Sequence, residues 1–586
     1  MAKSIAITGS GIICAIGNDR DMVLKSLRAG TRGIGPVSYL QSSHRDLPVG
    51  EVKMTDNEMK RQLGLPEDAV YSRTSLLGAI ALGQALADAP LSVKDLEGKR
   101  VVFISGTTVG GMDVIERYYS EMTAGDDMAK YVNRHECGYN TDEIARICGL
   151  SAKTVTISTA CSSALNAIIL GSRMLLSRQA DIVIAGGTEA LSRFHLNGFN
   201  SLMILDHEPC RPFDKTRRGL NLGEGAAYVV LEREDDALKA LRHPRGYISG
   251  FGNRCDAYHQ TATSPEGDGA FLAMSDAMTM SGLAPGDIDY INAHGTGTPD
   301  NDHSESVAIT RLFGDACPRV SSTKAVTGHT TSASGSIETV ICLLAIKHNF
   351  APDNIGWTSK DDGCITPCMG EREVELKNVM CNSFGFGGND SSIIITDKPR
   401  TLNFGQCHDA ISSTPVHELG DKADLSMVKQ YISPMEARRM STLMKAAILT
   451  SMAAMNDVPN RRVDAIIIAT RYGMLEQGQK ILDHLTTHGE DQVSPTIFMQ
   501  STHNTIAGSL AIRLKCHGYN ITYANGDNLL DTALQDARDL ISEGKANTVL
   551  VGCHDYCTET FMNIYDTAGI KFTGRLNSKS LILYKE

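Results

Sequence analysis

Short apolar or β-branched runs alternate along the chain with longer stretches of helical periodicity. SIAIT (4–8), VVFIS (101–105), DIVIAG (181–186), DYINAH (289–294) and SSIIIT (391–396) read as buried strands, each a brief apolar run. Between them, Ser75 to Asp88, Ala164 to Ser177 and Ser336 to Lys347 carry helix-like patterns. The alternation predicts an α/β protein whose helices form layers around buried sheets. Residues 401–430 break the pattern: they are polar, contain Pro415 and Gly420 and show no clear period, which predicts a connection or a lightly structured lead-in to another module.

Beyond that stretch the chain repeats itself. VTISTACSSALNAIILGSRMLLSRQADIVIAGGTEA (155–190) lies without a gap over ITYANGDNLLDTALQDARDLISEGKANTVLVGCHDY (521–556), each reading strand, turn, long helix, strand and Gly. RVVFISGTTVGGMDVIE (100–116) lies over DAIIIATRYGMLEQGQK (464–480). The offsets, 366 and 364, are nearly equal, and the shared order predicts a duplicated half of the main module.

Composition narrows the function. The length of 586 residues is enough for about four domains on a soft prior. Apolar residues at 42% and charged residues at 21% are those of an ordinary globular protein, which excludes wholesale disorder. A net charge of −12 makes a bare polyphosphate or an anionic membrane a poor partner, and 5% aromatics argue against a stacking platform for single-stranded nucleic acid. Fifteen Cys are too dilute for a disulfide scaffold. The start, MAKSIAITGSG, does not read as a signal peptide, and no run reaches the roughly 18 apolar residues that span a bilayer. The reading is a cytoplasmic protein with reduced thiols.

Chemistry concentrates at the ends of predicted elements. In Thr159-Ala160-Cys161-Ser162-Ser163-Ala164, Cys161 falls on a strand-to-helix turn, where the positive end of the helix stabilises a thiolate and lowers the thiol pKa. Asn292-Ala293-His294-Gly295-Thr296-Gly297-Thr298 follows a strand, which puts His294 in a cleft rather than a core. Ser322-Thr323-Lys324-Ala325-Val326-Thr327-Gly328-His329 leads through small residues into a helix. Asn382-Ser383-Phe384-Gly385-Phe386-Gly387-Gly388-Asn389 is a Gly-rich turn, yet it precedes a strand and so fails as a dinucleotide loop. One Cys, two His and a Lys at element ends suggest acyl transfer through a thioester. Taken singly, each His is more often structural and the Lys a solvated surface charge.

With these motifs in place the chain, from about residue 3 to 396, resembles the β-ketoacyl-acyl-carrier-protein synthases, the elongating ketosynthases of the thiolase superfamily. The resemblance rests on IAITGSGIICAIGN, SGTTVGG, STACSSA, RPFDKTRRGLNLGEGAA, CDAYHQTATSPEGDGA, NAHGTGTPDNDHSE, STKAVTGH and NSFGFGGND in family order. It implies a five-layered αβαβα thiolase fold of two related halves and a decarboxylative condensation needing no cofactor and no metal. Cys161 matches the nucleophile, and His294 and His329 the pair that hydrogen-bonds the developing enolate. Lys324 matches the lysine that sets the site's electrostatics, and Glu338 its ion-pair partner. Backbone N–H groups of Cys161 and Phe386 match the oxyanion hole, with Phe386 also the gate. The partners implied are acyl- and malonyl-carrier protein, a second copy joined through the strand beside the Cys161 helix, and a further ketosynthase-like subunit as an additional candidate. Two departures stand out: Gly328-His329-Thr330-Thr331-Ser332-Ala333-Ser334-Gly335 is more hydroxylic than the family's GHLxGAAG, and Asn389-Asp390 replaces Thr-Asn. A true thiolase is disfavoured, because Phe384-Gly385-Phe386 stands where its second Cys belongs.

Residues 401–586 resemble only the N-terminal half of such an enzyme. The overlay places Asp527 over Cys161, and no HGTGT or STKAVTGH segment follows, so this module is expected to be silent in condensation and to act as a chain-length-factor-like or interface element. His503 and Asn504 are expected to be structural, and Cys364/Cys368 and Cys553/His554/Cys557 incidental rather than zinc ligands. The domains expected are 1–245 with the nucleophile, 246–398 with the His/Lys/His motifs, a connection at 399–430 and the inactive half-module at 431–586. The competing reading is a non-catalytic, carrier-binding scaffold.

Overall fold

A computed structural model describes residues 2–405, 409–458, 462–526, 528–571 and 574–586. The first half contributes β1 (Ile5–Cys14), α1 (Arg73–Asp88), β2 (Val101–Gly106), β3 (Lys153–Ile157), α2 (Ser163–Leu176), β4 (Ile182–Glu189) and β5 (Gly225–Arg233). The second contributes β6 (Gly246–Cys255), α3 (Asp268–Ser281), β7 (Tyr290–Asn292), β8 (Arg319–Ser321), α4 (Ser334–His348), β9 (Asn378–Gly385) and β10 (Asn389–Thr396). The C-terminal module adds α5 (Thr442–Asn456), β11 (Ala465–Ala469), β12 (Tyr519–Tyr523), α6 (Leu529–Ser542), β13 (Thr548–Tyr556) and β14 (Leu576–Lys585).

One five-strand plan recurs three times. In the first half β2 runs parallel to β3 and β4, and β5 and β1 follow antiparallel, in the order β3-β2-β4-β5-β1. The second half repeats it as β8-β7-β9-β10-β6. The C-terminal module repeats it as β12-β11-β13-β14, closed by His417–Gly420 against β14. The short strand Ile411–Ser413 also pairs with β14, so part of the polar lead-in is built into this sheet.

Period-two alternation sorts each strand between two cores. Val102 and Ile104 of β2 point to a core shared with Ile168 of α2 and Val340 of α4, whereas Val101 and Phe103 point to a second core with Leu76 and Ile80 of α1. Ile393 and Ile395 of β10 join the first core, and Ile394 joins a third with Met274 of α3. The layers are therefore α1, sheet, α2 with α4, sheet, α3: the thiolase-like arrangement expected. Being covered on both sides, α2 is buried at every residue from Ser163 to Arg173. Its counterpart α6 buries Ala533, Ala537 and Leu540 but leaves Asp531, Gln535 and Arg538 exposed, having no second sheet above it.

The C-terminal module docks edge to edge on the first half. β12 pairs antiparallel with β3 at Tyr523 and Ile157, flanked by Ser158 N–H to Thr522 O and Ala524 N–H to Thr156 O, both 2.9 Å. These pairs are related by a local two-fold axis, since Thr522, Tyr523 and Ala524 are the overlay partners of Thr156, Ile157 and Ser158. Asn525 Oδ1 accepts from Thr156 N–H at 2.8 Å, and its Nδ2 donates to Thr154 O at 3.0 Å. Behind the strands, Arg173 of α2 reaches Asp536 at 2.6 Å and Glu543 at 3.0 Å. The strand edge that the resemblance assigned to a second copy is thus covered by this chain's own C-terminal module. Asp527 lies outside the described residues.

The overlay of 100–116 on 464–480 needs a correction of one residue. Ile104 pairs with Val155, and Ile467 with Ile521, so Ile467 and not Ile468 takes the place of Ile104. The overlay of 155–190 on 521–556 stands, with Ala185 and Val551 in equivalent positions beside Ile104 and Ile467.

Candidate active site

Four element ends converge on one buried site. β3 ends at Ile157, and Ala160 adopts a positive φ of 52° before the 3-10 turn Ala160–Ser162 that carries Cys161 into α2. For a residue with a side chain this left-handed conformation is uncommon and marks a tightly constrained turn. Ser163 Oγ bridges the turn, accepting from Thr159 N–H and donating to Ala160 O. His294 follows β7, where buried Glu305 accepts the N–H groups of both His294 and Gly295 at 2.9 and 2.8 Å. Lys324 follows β8, and His329 sits five residues before α4, its N–H donating to Asn221 O at 2.7 Å. Phe386 lies in the hairpin between β9 and β10, where Gly387 and Gly388 take φ of 82° and 73°, values that favour glycine.

The structure brings the sequence-derived site residues together. His329 Nε2 is 3.1 Å from Cys161 Sγ, and the rings of His294 and His329 have centroids 5.4 Å apart, edge to face. Lys324 Nζ is 2.5 Å from Glu338 Oε1, both side chains being almost wholly buried. The Phe386 ring stacks on Phe199 with centroids 5.7 Å apart. The backbone N–H groups of Phe386 and Cys161 act on the Cys161 sulfur.

Burial dominates the electrostatics. It pushes the Cys161 thiol up to about 12, while Lys324 and the two amides pull the other way. The lowered thiol pKa expected from the helix end is therefore not found: with Cys161 only 5% exposed, desolvation outweighs the helix. Burial, helped by the Lys324 ammonium, holds both His294 and His329 well below the ordinary imidazole value, so both rings are neutral at pH 7. Burial also raises Glu338 to about 7 against the pull of Lys324. The site at rest is thus a neutral thiol against a neutral imidazole, with the second imidazole edge to face beside it.

Several supporting residues were not singled out as site groups in the sequence. Ser334 Oγ lies 3.1 Å from His329 Nδ1, and Ser383 Oγ donates to Cys161 O at 2.9 Å. Asn389, noted only as a departure, accepts from Ser162 Oγ and Asn166 Nδ2 at 2.8 and 2.7 Å and so braces the nucleophile turn. The C-terminal module also reaches the site: Asn504 Nδ2 donates to Phe386 O at 2.8 Å, and Phe498 packs on Phe199 with centroids 5.4 Å apart. His503 packs beside Cys137 across the seam, at 3.7 Å. Among the described residues no group of three His, Cys, Asp or Glu is placed to hold a metal ion, and no helix is long and apolar enough to cross a membrane.

A thiol, two neutral imidazoles and a buried Lys–Glu pair are the set expected of an acyltransferase site of the ketosynthase class. Comparison with known proteins agrees. Residues 2–237 match the β-ketoacyl synthase N-terminal domain, residues 245–358 its C-terminal domain, and residues 415–573 a second β-ketoacyl synthase N-terminal domain. The chain is 34% identical over 410 residues to 3-oxoacyl-[acyl-carrier-protein] synthase 2 of Coxiella burnetii (strain RSA 493 / Nine Mile phase I), covering 67% of this chain and 98% of that protein. The chain belongs to the β-ketoacyl synthase family. Among solved structures, the ishigamide ketosynthase/chain length factor is similar at 30% identity and a TM-score of 0.63, covering 68% of this chain and all of that one. The PfaC keto synthase-chain length factor shares the fold over 100% of this chain and 78% of that one, with a TM-score of 0.79 at 16% identity.

Proposed function

We propose that this chain condenses an acyl group held on Cys161 with malonyl-carrier protein, giving a 3-oxoacyl-carrier protein in fatty acid or polyketide synthesis. The observation that carries the reading is the Cys161 Sγ to His329 Nε2 distance of 3.1 Å, with the His294 ring edge to face against His329. In the first half-reaction His329 Nε2 takes the thiol proton as the sulfur attacks the carrier thioester, and the proton leaves on the departing carrier thiol. The amides of Cys161 and Phe386 donate to the oxyanion formed there. In the second, the bond from malonyl carbon to CO2 breaks and the electron pair moves toward the thioester oxygen. Nε2–H groups of His294 and His329 stabilise that enolate. Its carbon attacks the acyl-cysteine, the carbon–sulfur bond breaks, and Cys161 is released for reprotonation. Lys324, held by its ion pair with Glu338, lowers the basicity of both imidazoles through space.

The C-terminal half-module, read here as 431–586 with its lead-in at 399–430, acts as a chain-length-factor-like partner carried on the same chain. Support comes from its position at the seam and from Phe498 and Asn504, which touch Phe199 and the Phe386 turn. The catalytic part divides as 1–245 and 246–398, and it works on two carrier-bound substrates.

Mass spectrometry after incubation with acyl-carrier protein tests the reading. An acyl adduct is expected on Cys161, and Cys161→Ala is expected to lose condensation while Cys161→Gln retains malonyl decarboxylation. No adduct on Cys161 favours the scaffold reading, and full condensation by the alanine variant overturns the assignment.

A further inference from the structure

The reaction proposed above asks contradictory things of one imidazole. To accept the thiol proton, His329 Nε2 must be bare, which puts the ring hydrogen on Nδ1. To donate to the enolate oxygen, Nε2 must carry the hydrogen and Nδ1 must be bare. Whatever faces Nδ1 decides which tautomer the ring prefers. A backbone N–H there only donates and a carbonyl only accepts, so either would favour one half-reaction at the expense of the other.

In this chain the group facing Nδ1 is a hydroxyl. Ser334 Oγ lies 3.1 Å from Nδ1, and Thr330 Oγ1 lies 3.2 Å from Ser334 Oγ. Both residues are buried, so neither hydroxyl is free to turn to bulk solvent. The Ser334 amide is already engaged with Thr331 O and leaves the side chain to serve the ring. These residues belong to the hydroxylic run 330–334, the place where the sequence departs from the small apolar residues of the motif it resembles.

We propose that Ser334, backed by Thr330, is a positioning residue that lets His329 hold either tautomer at nearly equal cost. With Nδ1–H present, Ser334 Oγ accepts from the ring and points its own hydrogen at Thr330 Oγ1. With Nδ1 bare, Ser334 donates to the ring and Thr330 donates to Ser334. Between the half-reactions one proton leaves Nδ1 and one arrives at Nε2, with water as carrier and no net change in charge. The inference rests on the ketosynthase reading and extends it to a residue that touches no substrate.

The test uses the full chain with Ser334→Ala and, as an isosteric control that removes only the second hydroxyl, Thr330→Val. Three readouts are needed: the rate of Cys161 acylation by acyl-carrier protein, the rate of malonyl-carrier decarboxylation in a Cys161→Gln background, and the 15N shifts of the His329 imidazole. Losing one hydrogen bond to the ring is expected to slow at least one half-reaction by roughly tenfold in Ser334→Ala. The imidazole shifts are expected to move from averaged values toward a single tautomer. Thr330→Val is expected to move the shifts the same way by less. Unchanged 15N shifts in both variants overturn the proposal, whether or not the rates fall, because a purely structural defect slows the enzyme without fixing the tautomer. If Cys161→Ala itself retains condensation, the ketosynthase reading fails instead, a result distinct from any produced by the serine.

Discussion

Replacing Arg173 by Leu separates the two modules energetically without touching the residues around Cys161. The guanidinium is buried at the seam, 2.6 Å from Asp536, 3.0 Å from Glu543 and 3.1 Å from the Tyr519 hydroxyl. Removing one partner of a buried ionic cluster costs about 3–5 kcal/mol, because the charges left behind are uncompensated. Lys545 Nζ, 3.4 Å from Glu543, still offsets part of this, which puts the expectation near the lower end, about 3 kcal/mol. That corresponds to roughly a 150-fold rise in the opening equilibrium of the seam, at about 1.4 kcal/mol per factor of ten. The assay is native-state hydrogen exchange at Ser158 and Ala524, whose amides bond across the seam to Thr522 O and Thr156 O. Both are expected to lose about two orders of magnitude of protection together, while amides in the centre of β2 hold theirs. Undiminished protection at Ser158 and Ala524 would refute the claim that this cluster holds the module in place. A uniform loss across β2 as well would refute it differently, by showing that the substitution unfolds the first half rather than opening the seam.

Two further outcomes follow from the site and the seam. Because burial pushes the Cys161 thiol up to about 12, the thiolate fraction rises about tenfold per pH unit below that value. Alkylation of Cys161 by iodoacetamide, followed by peptide mass, is accordingly expected to climb through pH 9 without levelling. A plateau between pH 6 and 8 would show a depressed thiol instead. Deleting 401–586 bares the β3 edge and is expected to give a species that self-associates through it. Light scattering that finds the truncated protein strictly monomeric contradicts this.

Much of the site's arrangement was legible because its groups follow apolar runs, where sequence order translates directly into place. His294 after β7 and Lys324 after β8 are two such cases. Ser334 was harder to see: the motif showed an excess of hydroxyls around His329, yet only the turn from His329 into α4 decides which one meets Nδ1. The thiol's protonation state was misread for a related reason. Position at a helix end is visible in sequence, whereas the depth of burial that opposes it is a property of the packed structure.

The repeat was legible in one segment and off by one in the other. Residues 521–556 contain a helix whose apolar positions recur on one face, and this anchors the overlay on 155–190 through Ile157 and Tyr523. Around β11, Ile466, Ile467 and Ile468 are all buried, Ile467 in one core and its neighbours in another. With both faces apolar no alternation marks the register, and a slip of one residue exchanges the faces without disturbing the pattern. The character of the helices carried further information. The largely apolar sequence of α2, with its few polar residues buried, suits a helix enclosed by two sheets, and the polar stripe on α6 suits one covered on a single side, which is how the missing second half of the module is written into the chain.

The seam between β3 and β12 has a consequence for partner choice. Its two strands belong to one polypeptide, so their meeting is a loop closure rather than a collision between molecules. Being carried on the same chain sets the local strand at an effective concentration of roughly millimolar order. A free rival bearing a similar edge would need to approach that abundance before displacing it. The two modules are therefore made in strict one-to-one ratio, and the seam favours the module of its own chain over related chains nearby.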